Sequence, residues 1–387
     1  MADDDAKRAA NARFERLSRL LDEALDLPES ARGAFVHQSA DDDPELLAAA
    51  LAALADEPEP AADLRRQVAA ALEGPPGPPE YARTAERCGP WRLLHSIGSG
   101  GMGEVFLAER ADGAFEQRVA VKLLPAAVRT RELGLRLERE RQILARLEHP
   151  SIARLIDGGV AADGTPYLAL EYVEGVPIDR FCAEAGLTLP AKLAIFLKMC
   201  DAVAYAHAHL VVHRDLKPTN VLVTREGEVK LLDFGIAKLL EEDDLGLTRS
   251  VDHLLTPRYA APEQIEGRPA TTATDVHALG LLLFELLTGE RPFGVQTTSA
   301  LSLAREIVER QPERPSQLAR GLRAHSAARD LDEICLKALR KNPEERYLSV
   351  VALADDIRRS LAGFPVEALA GARAYRARKF VARHRLA

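Results

Sequence analysis

The 387-residue sequence predicts an α+β fold in which a strand-rich segment precedes a larger helical one. Three observations carry that prediction. Short apolar runs at 91–97, 105–109 and 119–124 have the length of strands, and the first two flank a glycine-rich turn. Farther along, residues 279–288 form a strongly apolar helix closed by Gly289 as a C-terminal cap. Ahead of the first strand, Gly74-Pro75-Pro76-Gly77-Pro78-Pro79 can enter neither a helix nor a sheet interior, so it separates the leading residues as a stiff linker.

Residues 1–73 read as a small helical module. Phe14, Leu17, Leu21 and Leu25 recur at helical spacing until Pro28, and a second short helix fits 29–38. Asp43-Pro44-Glu45 supplies an N-cap, a first-turn proline and a first-turn acid for a helix over 46–54. A further helix fits 61–72. The segment is rich in alanine, so a spacer with transient helices is the competing reading. Residues 1–89 hold 10 Lys/Arg against 19 Asp/Glu, which leaves 41 against 40 for the rest of a chain of net charge −8. The acidic surplus therefore belongs to the leading segment. The remainder carries no nucleic-acid signature, and no nucleic-acid partner is expected. Cys88, Cys182, Cys200 and Cys335 are scattered without metal-ligand spacing, and the acidic start Met1-Ala2-Asp3-Asp4-Asp5 is unlike a secretory leader. Both point to a reducing, cytoplasmic compartment.

Gly98-Ser99-Gly100-Gly101-Met102-Gly103-Glu104-Val105 has the spacing G-x-G-x-x-G-x-V. A dinucleotide-binding loop shares it, but lies between a strand and a helix with an acid about 20 residues further on. Strands flank these glycines on both sides, so the turn is a β-hairpin whose bare backbone can close over phosphates. Lys122 lies in the third strand. Residues 131–147 fit a helix with Leu133, Leu137, Ile143, Leu144 and Leu147 on apolar spacing. That helix carries Glu138 and Glu140 as acidic partners for a cation, or as local partners of neighbouring arginines. Spacing does not choose between them. Residues 167–175 form an apolar strand that ends in a turn.

The most informative stretch is His213-Arg214-Asp215-Leu216-Lys217-Pro218-Thr219-Asn220, followed by Asp233-Phe234-Gly235. It sets two carboxylates, an amide and a lysine at the spacing needed to handle a nucleoside triphosphate, its metal ions and a hydroxyl. Thr256-Pro257-Arg258-Tyr259-Ala260-Ala261-Pro262-Glu263 ends in A-P-E, Asp275-Val276-His277-Ala278-Leu279-Gly280 opens the apolar helix, and Asn342-Pro343-Glu344-Glu345-Arg346 supplies an arginine. The ordered set H-R-D-x-K-x-x-N, D-F-G, G-x-G-x-x-G-x-V and A-P-E resembles the protein kinases. The motif wording is similar to bacterial serine/threonine kinases of the eukaryotic-like type.

That resemblance implies a two-lobed kinase domain over 91–361, with a small β-rich N-lobe carrying one αC helix and a larger helical C-lobe. A linker over 74–90 would join it to the helical module, and a basic segment over 362–387 would follow. The implied cofactors are ATP with Mg²⁺ or Mn²⁺, and the implied substrates are protein hydroxyls. Asp215 would orient the hydroxyl and accept its proton, while Lys217 would neutralise the γ-phosphate. Lys122 would reach the α- and β-phosphates and pair with Glu140, which the αC register of 139–144 selects. Asn220 and Asp233 would hold the metal. Ile97, Gly98, Gly100 and Gly103 would cover the nucleotide, and Val105, Ala120 and Leu222 would sandwich the adenine. Leu170 would guard the back of that pocket, with backbone groups of Glu171 and Val173 at the adenine edge. His213, Glu263, Asp275 and Arg346 would be scaffold: His213 props the D-F-G turn, and Glu263 pairs with Arg346 in the interior. His277 stands where most kinases carry an aromatic, and Leu255 where many carry glycine. Both bear on peptide preference more than on phosphoryl transfer.

Regulation is implied as well. Arg214 beside Asp215 calls for an anion, Lys238 is placed to share it, and a phosphate on Thr248 or Ser250 would supply it. Thr256 would be a substrate-side hydroxyl near Asp215 and Lys217. The acids at 241–244 could pair with the same cations instead. Self-association for autophosphorylation follows from this reading. Residues 371–387 carry Arg373, Arg376, Arg378, Lys379, Arg383 and Arg385 with no acid, interrupted by Tyr375, Phe380, Val381 and Leu386. Such a helix suits an anionic membrane surface or docking back on the C-lobe. It also resembles the stretch just before the membrane anchor in larger bacterial kinases, which implies that the chain is the cytoplasmic portion of a membrane-anchored protein. A pseudokinase that binds nucleotide and recruits partners is the alternative function, although Lys122, Asp215 and Asp233 are all retained.

Overall fold

The computed structural model describes residues 35, 36, 39, 87–100, 103–124, 141, 142, 144–234, 257–294, 300–369, 375, 376, 379 and 381. The chain divides into two units, 1–83 and 84–387, and the described architecture is that of the second. Most of the helical module, the 74–86 stretch, and residues 131–140 and 143 of the helix expected over 131–147 lie outside the described residues.

Six antiparallel strands build the first layer: β1 (Arg87–Cys88), β2 (Trp91–Gly100), β3 (Gly103–Arg110), β4 (Arg118–Leu123), β5 (Leu155–Val160) and β6 (Pro166–Glu171), in the spatial order β1-β2-β3-β4-β6-β5. Side chains alternate across each strand, so β4 turns Val119, Val121 and Leu123 to one buried face and Ala120 and Lys122 to the other. In register, Val105 lies opposite Lys122 and Ala120 opposite Leu170, which assembles one continuous face from three strands.

A second, three-stranded sheet follows from β7 (Gly175–Pro177), β8 (Val221–Thr224) and β9 (Val229–Leu231). Helices α1 (Ile178–Glu184) and α2 (Leu189–Ala208) separate β7 from β8. Then come α3 (Pro262–Ile265), α4 (Thr272–Thr288), α5 (Ala300–Glu309), α6 (Ala328–Ala338) and α7 (Val350–Leu361).

From Ala278 to Phe284 helix α4 is apolar on every side, and such a stretch must be buried all round. Its residues from Thr274 to Phe284 are all buried, packed among α2, α6 and α7. The close packing needs a small residue: a Cβ on Gly280 would lie 2.9 Å from the Cβ of Ala338. Thr271 caps the amino end through Ala273 N, and Gly289 ends the helix at φ 76, as its sequence position predicts. The helix begins at Thr272, well ahead of the apolar run at Leu279. That extra amino-terminal stretch carries the buried polar residues Thr274, Asp275 and His277.

The end of the described chain folds back on the helical lobe. Tyr375 is 3% exposed and donates its hydroxyl to Asp330 Oδ1 at 2.9 Å, while Lys379 Nζ reaches Asp330 Oδ2 at 2.5 Å. Asp356, also buried, accepts the backbone amides of Glu367 and Ala368 at 2.6 and 2.9 Å. Two interior carboxylates thus fasten Glu367, Ala368, Tyr375 and Lys379. Of the two placements expected for the basic segment, Tyr375 and Lys379 take the docked one, while Arg376 and Val381 stay exposed.

Candidate active site

The glycine turn is a hairpin, as its flanking strands predict. Ser99 pairs with Glu104 and Gly100 with Gly103, so β2 and β3 run through the motif instead of stopping at Ile97 and Val105. Gly103 is obligatory: its φ is 117, and a Cβ there would sit 2.0 Å from the carbonyl oxygen of Leu123. A Cβ on Gly98 would meet only open space, and Ile97 is exposed beside it. Below them Val105, Ala120, Leu170, Val173 and Leu222 are all half-buried, in keeping with walls of an open cleft.

The loop that carries the catalytic candidates runs from Val211 to the 3-10 turn Pro218–Asn220. Its shape is set from a distance. Asp275, fully buried in the first turn of α4, accepts the backbone amides of His213 and Arg214 at 2.7 and 2.9 Å, and also meets His207 Nε2 at 2.8 Å. Gln264 donates to the carbonyl of Arg214 at 2.9 Å. Arg214 is consequently held at φ 65, a left-handed conformation that a non-glycine residue keeps only where its surroundings impose it. Asp233 is held likewise at φ 46.

His213 lies in the interior. Its ring is buried, Nε2 meets the carbonyl of Leu232 at 2.8 Å, and it packs on Phe234 with centroids 4.7 Å apart. Burial pushes its pKa below the ordinary value despite nearby carboxylates, so the ring is neutral where it meets Leu232 and Phe234.

The chemistry-bearing groups converge. Asn220 Nδ2 donates to the carbonyl of Asp215 at 2.8 Å and to its Oδ2 at 3.1 Å, and Lys217 Nζ lies 2.8 Å from the same Oδ2. Lys122 Nζ reaches Asp233 Oδ2 at 3.0 Å. A metal fits this donor set. With its amide nitrogen committed to Asp215, Asn220 keeps its oxygen for a cation, and Asp233 adds a partly exposed carboxylate. One carboxylate and one amide oxygen, completed by phosphate oxygens, suit a hard ion such as Mg²⁺ or Mn²⁺.

Glu263 and Arg346 form the expected interior pair. Arg346 Nη1 and Nη2 donate to the two carboxylate oxygens at 2.8 and 2.7 Å, with both side chains fully or almost fully buried. Thr274 adds a hydroxyl to Glu263, and the remaining guanidinium hydrogens go to the carbonyls of Arg340, Ala273 and Lys341. Burial alone would raise the carboxyl's pKa, but the hydrogen bonds and charge of Arg346 hold it below the usual range. His277, two residues beyond Asp275, is buried too, and neither ring nitrogen has a hydrogen-bond partner among the described residues. Burial, with Arg346 and Lys341 nearby, drives its pKa well below the ordinary value.

Glu140, Lys238, Thr248, Ser250, Leu255 and Thr256 lie outside the described residues. Sequence reasoning missed His207 and Gln264, which steady the loop through Asp275 and Arg214. It also missed Lys230, whose ammonium meets the Glu171 carboxylate at 2.6 Å. No local pattern marks these three, because each acts on a partner distant in sequence.

Residues 91–356 match the protein kinase domain. Among curated proteins, the chain is 38% identical over 283 residues to the serine/threonine-protein kinase PknB of Mycobacterium tuberculosis, covering 72% of this chain and 44% of that protein. It is 37% identical over 273 residues to a probable serine/threonine-protein kinase of Corynebacterium efficiens, covering 69% and 40% respectively. The chain thus spans less than half the length of these relatives. Among solved structures, the kinase domain of Mycobacterium tuberculosis PknI superposes with a TM-score of 0.54 at 29% identity, covering 70% of this chain and 96% of that one.

Proposed function

The chain belongs to the protein kinase family, on its bacterial serine/threonine branch, and from that premise we propose that it transfers the γ-phosphoryl group of ATP to protein serine and threonine hydroxyls. The observation that carries this reading is the convergence of Asp215, Lys217 and Asn220 in one hydrogen-bonded cluster, with Lys122 on Asp233 beside it.

Phosphoryl transfer needs positioning and charge neutralisation more than covalent chemistry. The glycine hairpin covers the triphosphate, and Val105, Ala120 and Leu222 hold the base between the two sheets. Leu170 closes the back of the pocket, and the backbone of Glu171 and Val173 meets its edge. Lys122 steadies the α- and β-phosphates, in concert with Glu140. Asp215 orients the incoming hydroxyl and takes its proton, and Asn220 fixes the carboxylate that does so. Lys217 offsets charge on the transferring group. Asn220 and Asp233 would hold Mg²⁺, which supplies neutralisation of the phosphate oxygens when bound.

The substrates include the chain's own 233–263 span, where phosphate on Thr248 or Ser250 would engage Arg214 and Lys238, and self-association brings one copy's span to another's site. Thr256 serves the incoming substrate. The chain acts in the cytoplasm, with the outward side of residues 371–387, Arg376 and Val381 included, facing an anionic membrane surface while Tyr375 and Lys379 stay docked on Asp330. Exposed Arg376 and Val381 support that reading, and among the described residues no helix is long and apolar enough to cross a membrane.

Incubating the purified protein with ATP and Mg²⁺ and mapping phosphosites by mass spectrometry tests the proposal. New phosphoserine or phosphothreonine is expected. No incorporation into itself or into a generic protein substrate would refute it.

A further inference from the structure

We propose that the Glu171 side chain is a positioning residue for the nucleotide base: paired with Lys230, it clips the hinge to the floor of the adenine pocket. This rests on the nucleotide reading given above and adds to it a role for two side chains that the motifs leave unassigned.

Glu171 is the last residue of β6, in the sheet that provides the pocket's roof. It is held at both ends. Its backbone N–H donates to the carbonyl of Arg154 at 2.8 Å, its Oε2 accepts the backbone amide of Arg154 at 3.2 Å, and its Oε1 accepts Lys230 Nζ at 2.6 Å. Lys230 belongs to the other sheet, in β9, where it is the cross-strand partner of Leu222. Directly opposed residues of an antiparallel pair project to the same face. The burial pattern agrees: Val221, Val223, Val229 and Leu231 point into the helical lobe, while Leu222 and Lys230 are half-buried on the opposite side. The ammonium therefore rises from the same face as the floor leucine and ends on the hinge carboxylate.

This link joins the two sheets between which a base would lie. Val105 and Ala120 come from one and Leu222 from the other, so the slot's height depends on how the hinge is held over β8 and β9. The side chains of Glu171 and Lys230 are 27% and 19% exposed. The pair is thus partly shielded from screening without the desolvation of full burial. Hydrogen bonds to a base edge weaken steeply with misalignment, so a hinge free to rotate binds adenine less well and discriminates less against guanine.

Titration calorimetry of the full chain with Mg·ATP, for wild type, Glu171→Gln, Lys230→Met and the double variant, tests the proposal alongside steady-state kinetics with ATP and GTP. Each single substitution is expected to weaken ATP affinity about threefold to tenfold, with a matching rise in KM and less than about a twofold change in kcat at saturation. The double variant should be no weaker than either single one, because both remove the same link. The preference for ATP over GTP should fall in step, and Lys230→Arg should retain it. Affinities equal to wild type, or losses that add in the double variant, would overturn the clip while leaving the nucleotide reading intact. A fall in kcat with KM unchanged would overturn it too. Failure of the wild type to bind ATP would overturn both.

Discussion

Asp275 holds His213 by its backbone, Oδ2 to N–H at 2.7 Å, and the same carboxylate holds Arg214 at 2.9 Å. A carboxylate in the first turn of α4 therefore dictates where Asp215 points. Asn at 275 could accept one of these amides but would turn an N–H toward the other. The expected result for Asp275→Asn is a fall in kcat of about 10- to 100-fold from misplacement of Asp215. Stability should drop by about 1–3 kcal/mol for a buried donor left unsatisfied. Kinetics at saturating ATP, with thermal denaturation in parallel, check both; wild-type kcat would break the link between α4 and the loop.

The Glu263–Arg346 pair makes a prediction about stability alone. Arg346→Met leaves a buried carboxylate unpaired and should cost about 3–5 kcal/mol. The double variant Glu263→Met/Arg346→Met should recover part of that loss. Denaturant unfolding of Arg346→Met, Glu263→Met and the double variant measures it, and a double variant as unstable as the sum of the singles would contradict the pairing.

The contrast between these two relationships explains how much was legible beforehand. Motif residues such as Asp215, Lys217 and Asn220 sit within one short loop, so their spacing alone brought them together. The Glu263–Arg346 pair was legible through the family pattern. Strands β2 and β3 extend beyond their apolar runs: glycine weakens an isolated strand, but pairing Ser99–Glu104 and Gly100–Gly103 carries both through the glycines. The basic composition of 371–387 spoke for a charged surface, but which of its residues dock depends on Asp330, far away in sequence. His207, Gln264 and Lys230 were invisible for the same reason.

His277 predicts a pH dependence. The ring is neutral when folded, but in the unfolded chain it binds a proton below its ordinary value of 6.5. The unfolded state therefore holds more protons there, so stability is full above about pH 6.5 and falls below it by up to about 1.4 kcal/mol per pH unit per group. His213 and His149 shift in the same direction, so His277→Phe should flatten the fall without abolishing it. Lys341, pushed down to about 8 by burial, stays protonated throughout pH 5–7 and adds no slope. Melting temperatures across that range for wild type and His277→Phe check the sign; parallel curves would contradict it.

The docked C-terminal segment predicts a stability contribution from outside the matched 91–356 region. Tyr375→Phe removes a hydroxyl that serves both Asp330 and the amide of Val366. It should cost about 1–3 kcal/mol. Removing 371–387 should cost more, because Asp330 then loses Lys379 as well. Thermal unfolding decides this, and an unchanged melting temperature in the truncated protein would mean the segment does not dock.

The most direct test of phosphoryl transfer compares Asp215→Asn with wild type, measuring transfer from Mg·ATP and nucleotide affinity on the same samples. Transfer should fall by about 10²-fold or more, since the hydroxyl loses the carboxylate that orients it and accepts its proton. Mg·ATP affinity and melting temperature should stay near wild type, whereas Asp233→Asn should weaken Mg·ATP binding because a metal ligand loses its charge. An Asp215→Asn protein that phosphorylates itself or a generic substrate at the wild-type rate would contradict the assignment.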